Sequence, residues 1–212
     1  MGKARLALRR KPVLDRGKDT MDDILKAASQ VFSKHGYAHG TTNRIAARAG
    51  VSIGSVYQYF PNKDSILLAL VRKHMADGTS LVLSMLGDPS ALSKLALPEL
   101  VERFVRAMLA LHEEDPRLHR VLFEEAPHPK VVWDELASME RTITTALAGM
   151  LGARPGKKLD DPELTAWIVV QTVEALVHRF VIHESAPAKR EPFVREAVEL
   201  VSGYLAGRRS AF

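Results

Sequence analysis

Apolar residues recur along this chain at spacings of three and four, and no stretch alternates apolar with polar positions as a half-buried strand would. The pattern predicts an all-α protein. A first helix is expected to open at Asp19 or Thr20, where Thr20 and Asp23 have capping-box spacing. It puts Ile24, Ala28, Val31 and Phe32 on one face, and His35-Gly36-Tyr37 ends it. Two short helices follow, from about Thr42 to Ala49 and from Ile53 to Tyr59. Ile45, Ala49, Val51, Val56 and Tyr59 are spaced so that each buries one face against a common core. A long fourth helix begins after Asn62, carries Ile66, Leu67, Leu70, Val71 and Met75 on one side, and reaches Leu86. At 1.5 Å per residue it spans roughly 36 Å, enough to link a head to a body.

The remainder reads as helices separated by proline and glycine breaks. Gly87 to Ser90 is a loop, and Pro98 suits the first turn of a helix to about His112. Asp115-Pro116 opens a short helix through Phe123, and Pro127-His128-Pro129 breaks the chain. A long helix then runs to about Leu151 with Val132, Leu136, Met139, Ile143, Leu147 and Met150 on one face. After a loop at Gly152 to Gly156, Asp161-Pro162-Glu163 opens the most apolar helix, to about Ile182. Ser185 to Lys189 is another loop, and the last helix runs from Pro192 to Leu205. The expected architecture is a three-helix N-terminal head plus a larger helical body, about nine helices in total. Residues 1–18 form a basic arm, 19–66 the head and 67–212 the body.

The connection between the two short helices is the most specific feature. Ala46 is small where the helices would cross, Gly50 stands where a chain leaving a helix needs positive φ, and Ser52 is placed to cap the next helix. This is the helix-turn-helix pattern, whose second helix is offered to the DNA major groove. It ends in Tyr57-Gln58-Tyr59-Phe60-Pro61, and a new helix restarts at Asn62-Lys63-Asp64. From about Met21 to Val71 the chain resembles the DNA-binding region of the TetR (tetracycline-repressor-like) family. Thr42, Ile45-Ala46, Ala49-Gly50-Val51-Ser52, Gly54, Tyr57, Tyr59-Phe60 and Lys63 carry the resemblance.

Charge sharpens this picture. Residues 1–75 contain 14 Lys and Arg against 5 Asp and Glu, a net +9, whereas residues 76–212 contain 16 against 20, a net −4. A basic third carrying a helix-turn-helix fits a phosphate-binding surface. The arm, with seven basic residues, either tracks phosphates or is a solvated tail. The chain has no cysteine, which excludes disulfides and thiol chemistry. No signal peptide and no run of ~18 uninterrupted apolar residues is found, so a cytosolic protein without a membrane span is expected.

Individual residues follow. Ile53 could meet a thymine methyl, Ser55 can donate or accept, Gly54 lets backbone approach DNA, and Gln58 can bond adenine in a bidentate way. Thr42, Asn43 and Arg44 open helix two, and Ser52 opens helix three. The resemblance implies phosphate contacts at Thr42, Tyr57, Tyr59 and Lys63, although both tyrosines could instead pack between helices one and four.

In the body, Gln171, Glu174 and His178 form one stripe on an apolar helix. They face either a pocket, a partner subunit or solvent. Phe104, Met108, His112, Phe123, Trp133 and Trp167 are cavity-lining candidates or plain core. Neither zinc-ligand spacing nor a catalytic grouping nor a phosphate-binding loop stands out, so no metal, cofactor or enzymatic activity is expected. The resemblance implies a regulator, most simply a repressor, that binds a palindromic site on double-stranded DNA as a homodimer through its last two helices and answers to a small-molecule effector. The rivals are an effector-independent DNA-bound structural protein and an all-helical enzyme.

Overall fold

A computed structural model describes residues 15–86, 95–154, 159–184 and 186–207. Nine α-helices occur among the described residues: α1 Asp15–His39, α2 Thr42–Ala49, α3 Ile53–Tyr59, α4 Lys63–Leu86, α5 Leu97–Glu113, α6 Pro116–Arg120, α7 Lys130–Gly152, α8 Pro162–Arg179 and α9 Arg190–Gly207. No strand is present among those residues. Wide helical turns extend α6 (Val121–Glu125) and α8 (Phe180–Glu184), and a 3-10 turn, Pro187–Lys189, leads into α9. The arm up to residue 14, residues 87–90 and the ends of two further loops lie outside the described residues.

Helix α1 starts at Asp15, not at Asp19 or Thr20. Once a helix is nucleated each added residue gains a hydrogen bond, so an internal capping pair does not stop it. At its other end Gly36 takes φ 69° and ψ 175° and interrupts the helix, as the sequence indicates, but helical turns resume to His39. The Gly36 carbonyl then accepts from the Gly40 N–H at 3.0 Å. Gly40 allows nothing larger: a Cβ there would lie 2.3 Å from a ring carbon of Phe32.

The described residues form two compact units, one drawn from 15–74 and 115–132 and the other from those between 75 and 114 and between 133 and 207. The first therefore takes in α6 and its wide turn. Its core holds Ile24, Ala28, Val31 and Phe32 of α1, Ile45 and Ala46 of α2, Val56 and Phe60 around α3, and Ile66, Leu67, Leu70 and Val71 of α4, all buried. Segment 115–132 is fastened to α1 by polar contacts. Ser33 Oγ donates to Asp115 Oδ1 at 3.0 Å, and the Tyr37 N–H donates to Glu125 Oε2 at 3.3 Å.

In the second unit α5 packs on both α8 and α9. Leu100, Val101, Val105 and Leu109 of α5 meet Val169, Val170, Val173 and Val177 of α8, and Val194, Ala197, Val201 and Leu205 of α9 complete that core with Ile143 and Leu147 of α7. Phe180 and Phe193 stack with centroids 4.2 Å apart. An ionic clamp closes the start of α9 on α5. Arg106 holds Glu191 through two bonds of 2.9 and 2.7 Å and Glu102 through a third, while Arg190 bonds Glu113 at 3.0 Å. The Arg106 bonds bring the exposed Glu191 carboxyl down to about 2. The stretch Pro162–His183 is long and apolar enough by itself to cross a membrane, but half of it is buried inside this unit, as a core helix requires.

Candidate nucleic-acid interface

The turn between α2 and α3 is built from caps. Thr41 takes an extended backbone and its Oγ1 accepts from the Arg44 N–H at 3.3 Å, starting α2. Gly50 ends α2 in the left-handed region at φ 68°, and the Val51 N–H reaches back to the Ala46 carbonyl at 3.1 Å. Two residues later Ser52 Oγ accepts from the Ser55 N–H at 3.0 Å and opens α3. Phe60, fully buried, ends it. The chain reverses within Gly50 to Ser52, where the Gly50 and Val51 N–H groups bond back to the Ala47 and Ala46 carbonyls and Ser52 accepts from the next helix.

Helix α3 buries Val56 and leaves Ile53, Gly54, Tyr57 and Gln58 exposed. These four are two i,i+4 pairs on one face, away from Val56 and Phe60. Exposed Thr41, Asn43, Arg44, Ala47 and Arg48 belong to α2 and its cap. Ser55 is half-buried and its hydroxyl lies 2.9 Å from Ser52 Oγ. The Thr42 hydroxyl lies 3.3 Å from that of Tyr57, so these two side chains already hold each other. Tyr57 is 40% exposed, whereas Tyr59 is half-buried. Exposed Arg48, absent from the candidates drawn from sequence, adds a basic group four residues on from Arg44. Partial burial, with the charges of Arg44, Lys34 and His39, holds the His35 imidazole below its ordinary range.

Lys63 has a second engagement. Its Nζ donates to the Tyr37 carbonyl at 2.9 Å and lies 3.9 Å from the centre of the Tyr37 ring. The Tyr37 hydroxyl bonds Asp64, and burial together with that bond raises its pKa well above the ordinary phenol range. Asn62 caps α4 through the Ser65 N–H at 2.9 Å. Lysine carries three donors, so the bond to Tyr37 leaves capacity for a phosphate.

The body candidates separate. Phe104 lines an apolar void with Val82, Leu100, Ile143, Leu147 and Leu205. That void is small, about 20 Å³. Met108 and His112 are buried in the same unit. Trp133 and Trp167 are 57% and 49% exposed and do not line an interior cavity, because their helix positions face away from the core. Phe123 is not a body residue: its ring packs with those of His119 and His74 in the first unit, 4.6 and 5.3 Å between centroids. On α8, Gln171, Glu174 and His178 are half-buried. Glu174 Oε1 lies 3.2 Å from His112 Nε2, and His112 and His178 meet edge to face at 6.2 Å. Gln171 Nε2 is buried with no hydrogen-bond partner.

A capped two-helix turn presenting one polar, basic face defines a helix-turn-helix DNA-binding protein. Comparison with known proteins agrees. Residues 24–70 match the bacterial regulatory proteins of the tetR family, and residues 96–205 match the tetracyclin repressor-like C-terminal domain. The HTH-type transcriptional regulator YhgD of Bacillus subtilis is 28% identical over 158 residues, 73% of this chain and 80% of that protein. Other curated relatives are matched over less of their length, 27% and 47% in two cases. Among solved structures, a TetR-family regulator from Mesorhizobium loti superposes with a TM-score of 0.74 at 19% identity, over 91% of this chain and 98% of that one. The regulator FadR of Bacillus subtilis, in complex with stearoyl-CoA, gives 0.60 at 21%, over 87% and 96%. The chain belongs to the TetR family of DNA-binding transcriptional regulators.

Proposed function

We propose that this regulator is a repressor that binds a palindromic operator as a homodimer and leaves it when a small apolar molecule binds the second unit. The observation that carries the DNA reading is the exposed face of α3, with Gln58 and Tyr57 beside Ile53 and Gly54, next to exposed Asn43, Arg44 and Arg48 on α2. In this reading Thr42, Tyr57, Tyr59 and Lys63 hold phosphates, Ser52 sets the start of α3, and Ile53, Ser55 and Gln58 read base edges. A helix of seven residues offers few base-reading groups. Useful specificity therefore calls for two copies on two half-sites.

The dimer contact falls on α8 and α9, which leave Leu164, Trp167 and Leu200 between 46% and 56% exposed while burying their other faces. For the effector, the apolar lining around Phe104 suits a hydrocarbon group, with the polar stripe of Gln171, Glu174 and His178 as a second place for polar contacts. FadR of Bacillus subtilis, solved with stearoyl-CoA, shares this fold. The small size of the void favours a second reading, constitutive DNA binding by a filled body. Its site of action in either case is the cytoplasm, where bacterial DNA lies.

Selection of binding sites from random duplex DNA tests the first part. Inverted repeats bound in steps of two chains are expected, and recovery of single, unpaired half-sites overturns the dimeric reading. A thermal-shift screen with apolar metabolites tests the second part. An effector must raise the melting temperature and release DNA, and operator must weaken effector binding by the same factor. A ligand that binds equally well with and without operator is not an inducer.

A further inference from the structure

His112 is 2% exposed, and its Nδ1 lies 2.8 Å from the carbonyl oxygen of Met108, one turn earlier on α5. A carbonyl oxygen only accepts, so Nδ1 carries the ring hydrogen and the neutral ring keeps its lone pair on Nε2. That lone pair lies 3.2 Å from Oε1 of Glu174 on α8. An imidazole lone pair and a carboxylate oxygen repel at this distance unless a proton or a metal cation stands between them. His178, four residues beyond Glu174 on the same helix face, offers a ring nitrogen within 4.8 Å of the one on His112.

We propose that His112, Glu174 and His178 form a binding site for a divalent cation of the zinc class. The Nδ1–H held by a backbone carbonyl is the arrangement that metal-bound imidazoles take, because it fixes the tautomer and aims Nε2 at the ion. Ligand atoms about 2.0–2.1 Å from a tetrahedral zinc lie about 3.3 Å from each other. The distance between His112 Nε2 and Glu174 Oε1 matches that edge. Glu174 is 40% exposed, which gives an ion a way in. Two imidazoles and one carboxylate suit zinc and disfavour magnesium, which prefers oxygen ligands, and they leave a coordination position for water or an external ligand. An ion here would tie α5 to α8 inside the second unit. The site stands independently of the DNA-binding reading. Sequence spacing could not show it, because His112 and Glu174 lie 62 positions apart and only the packing of α5 on α8 joins them.

The test uses the full chain, freed of metal with a chelator. Titration with ZnCl₂ by calorimetry should show one equivalent per chain, and CoCl₂ should give the visible absorption of a tetrahedral cobalt site that zinc then abolishes. Zinc should also raise the melting temperature by mass action. Glu174→Gln and His178→Gln should each weaken zinc binding at least tenfold with the far-ultraviolet circular dichroism unchanged, and His183→Gln, at an exposed histidine, should not weaken it. His112→Gln alters a buried core residue, so the two half-buried positions carry the test if that variant fails to fold. The proposal is overturned by absence of saturable zinc binding, in which case the pair simply shares a proton. It is equally overturned by zinc affinity that both variants leave intact, or by magnesium binding as tight as zinc.

Discussion

Near the C-terminal end of α3, Gln58 is exposed four residues on from Gly54, where no side chain blocks approach. A bidentate amide contact to adenine contributes about 1–3 kcal/mol of discrimination. Gln58→Ala should therefore relax base preference at one position of each half-site while binding to unrelated DNA stays as it was; identical selected sites for wild type and variant would remove Gln58 from base readout. Lys63 makes a different prediction. Its charge contributes about −0.9 to the slope of log affinity on log salt if it neutralises a phosphate. Lys63→Ala should flatten that slope by about one unit, measured by anisotropy at several salt concentrations. An unchanged slope would confine Lys63 to its contacts with the Tyr37 carbonyl and ring.

Among elements, the junction of α5 and α9 depends on charge. Glu191 falls from its ordinary 4.5 to about 2, chiefly through its hydrogen bonds to Arg106. A carboxyl whose folded pKa is depressed stabilises the fold above its unfolded pKa, and that contribution is lost as pH falls through the folded value. On acidification from pH 4.5 toward pH 2, wild type should lose more stability than Glu191→Gln, as read by denaturant unfolding at each pH. Equal losses would show that the exposed bridge is screened away. The short helices α2 and α3 rely on their caps, Thr41, Gly50 and Ser52, because helices of eight and seven residues have little stability of their own.

For the whole molecule, the second unit makes neighbouring positions on α9 behave differently. Val201 is 2% exposed and lies in the core of its own chain, whereas Leu200 is 56% exposed. Val201 is thus not the residue with which to probe a dimer contact. Val201→Asp should unfold the chain, because it buries an unpaired charge. Leu200→Asp should leave the fold intact and yield monomers in sedimentation if α8 and α9 form the contact. A dimer unaffected by Leu200→Asp moves that contact elsewhere.

The sequence by itself determined the helices and the head. The 3.6-residue periodicity marks α2 to α5 and α7 to α9 to within a few residues. The caps at Thr41, Gly50 and Ser52 are local chemistry, fixed by residues three or four positions apart, so the helix-turn-helix was legible with its exposed face. Only tertiary structure decided what depends on residues far apart in the chain. Packing puts Phe123 with His74 and His119 in the first unit, turns Trp133 and Trp167 outward, and fills the second unit until the void beside Phe104 is about 20 Å³. It also brings His112 to Glu174 and Lys63 to Tyr37. Periodicity tells which residues share a helix face, but what that face meets is set by which helix packs against it, and no local spacing encodes that choice.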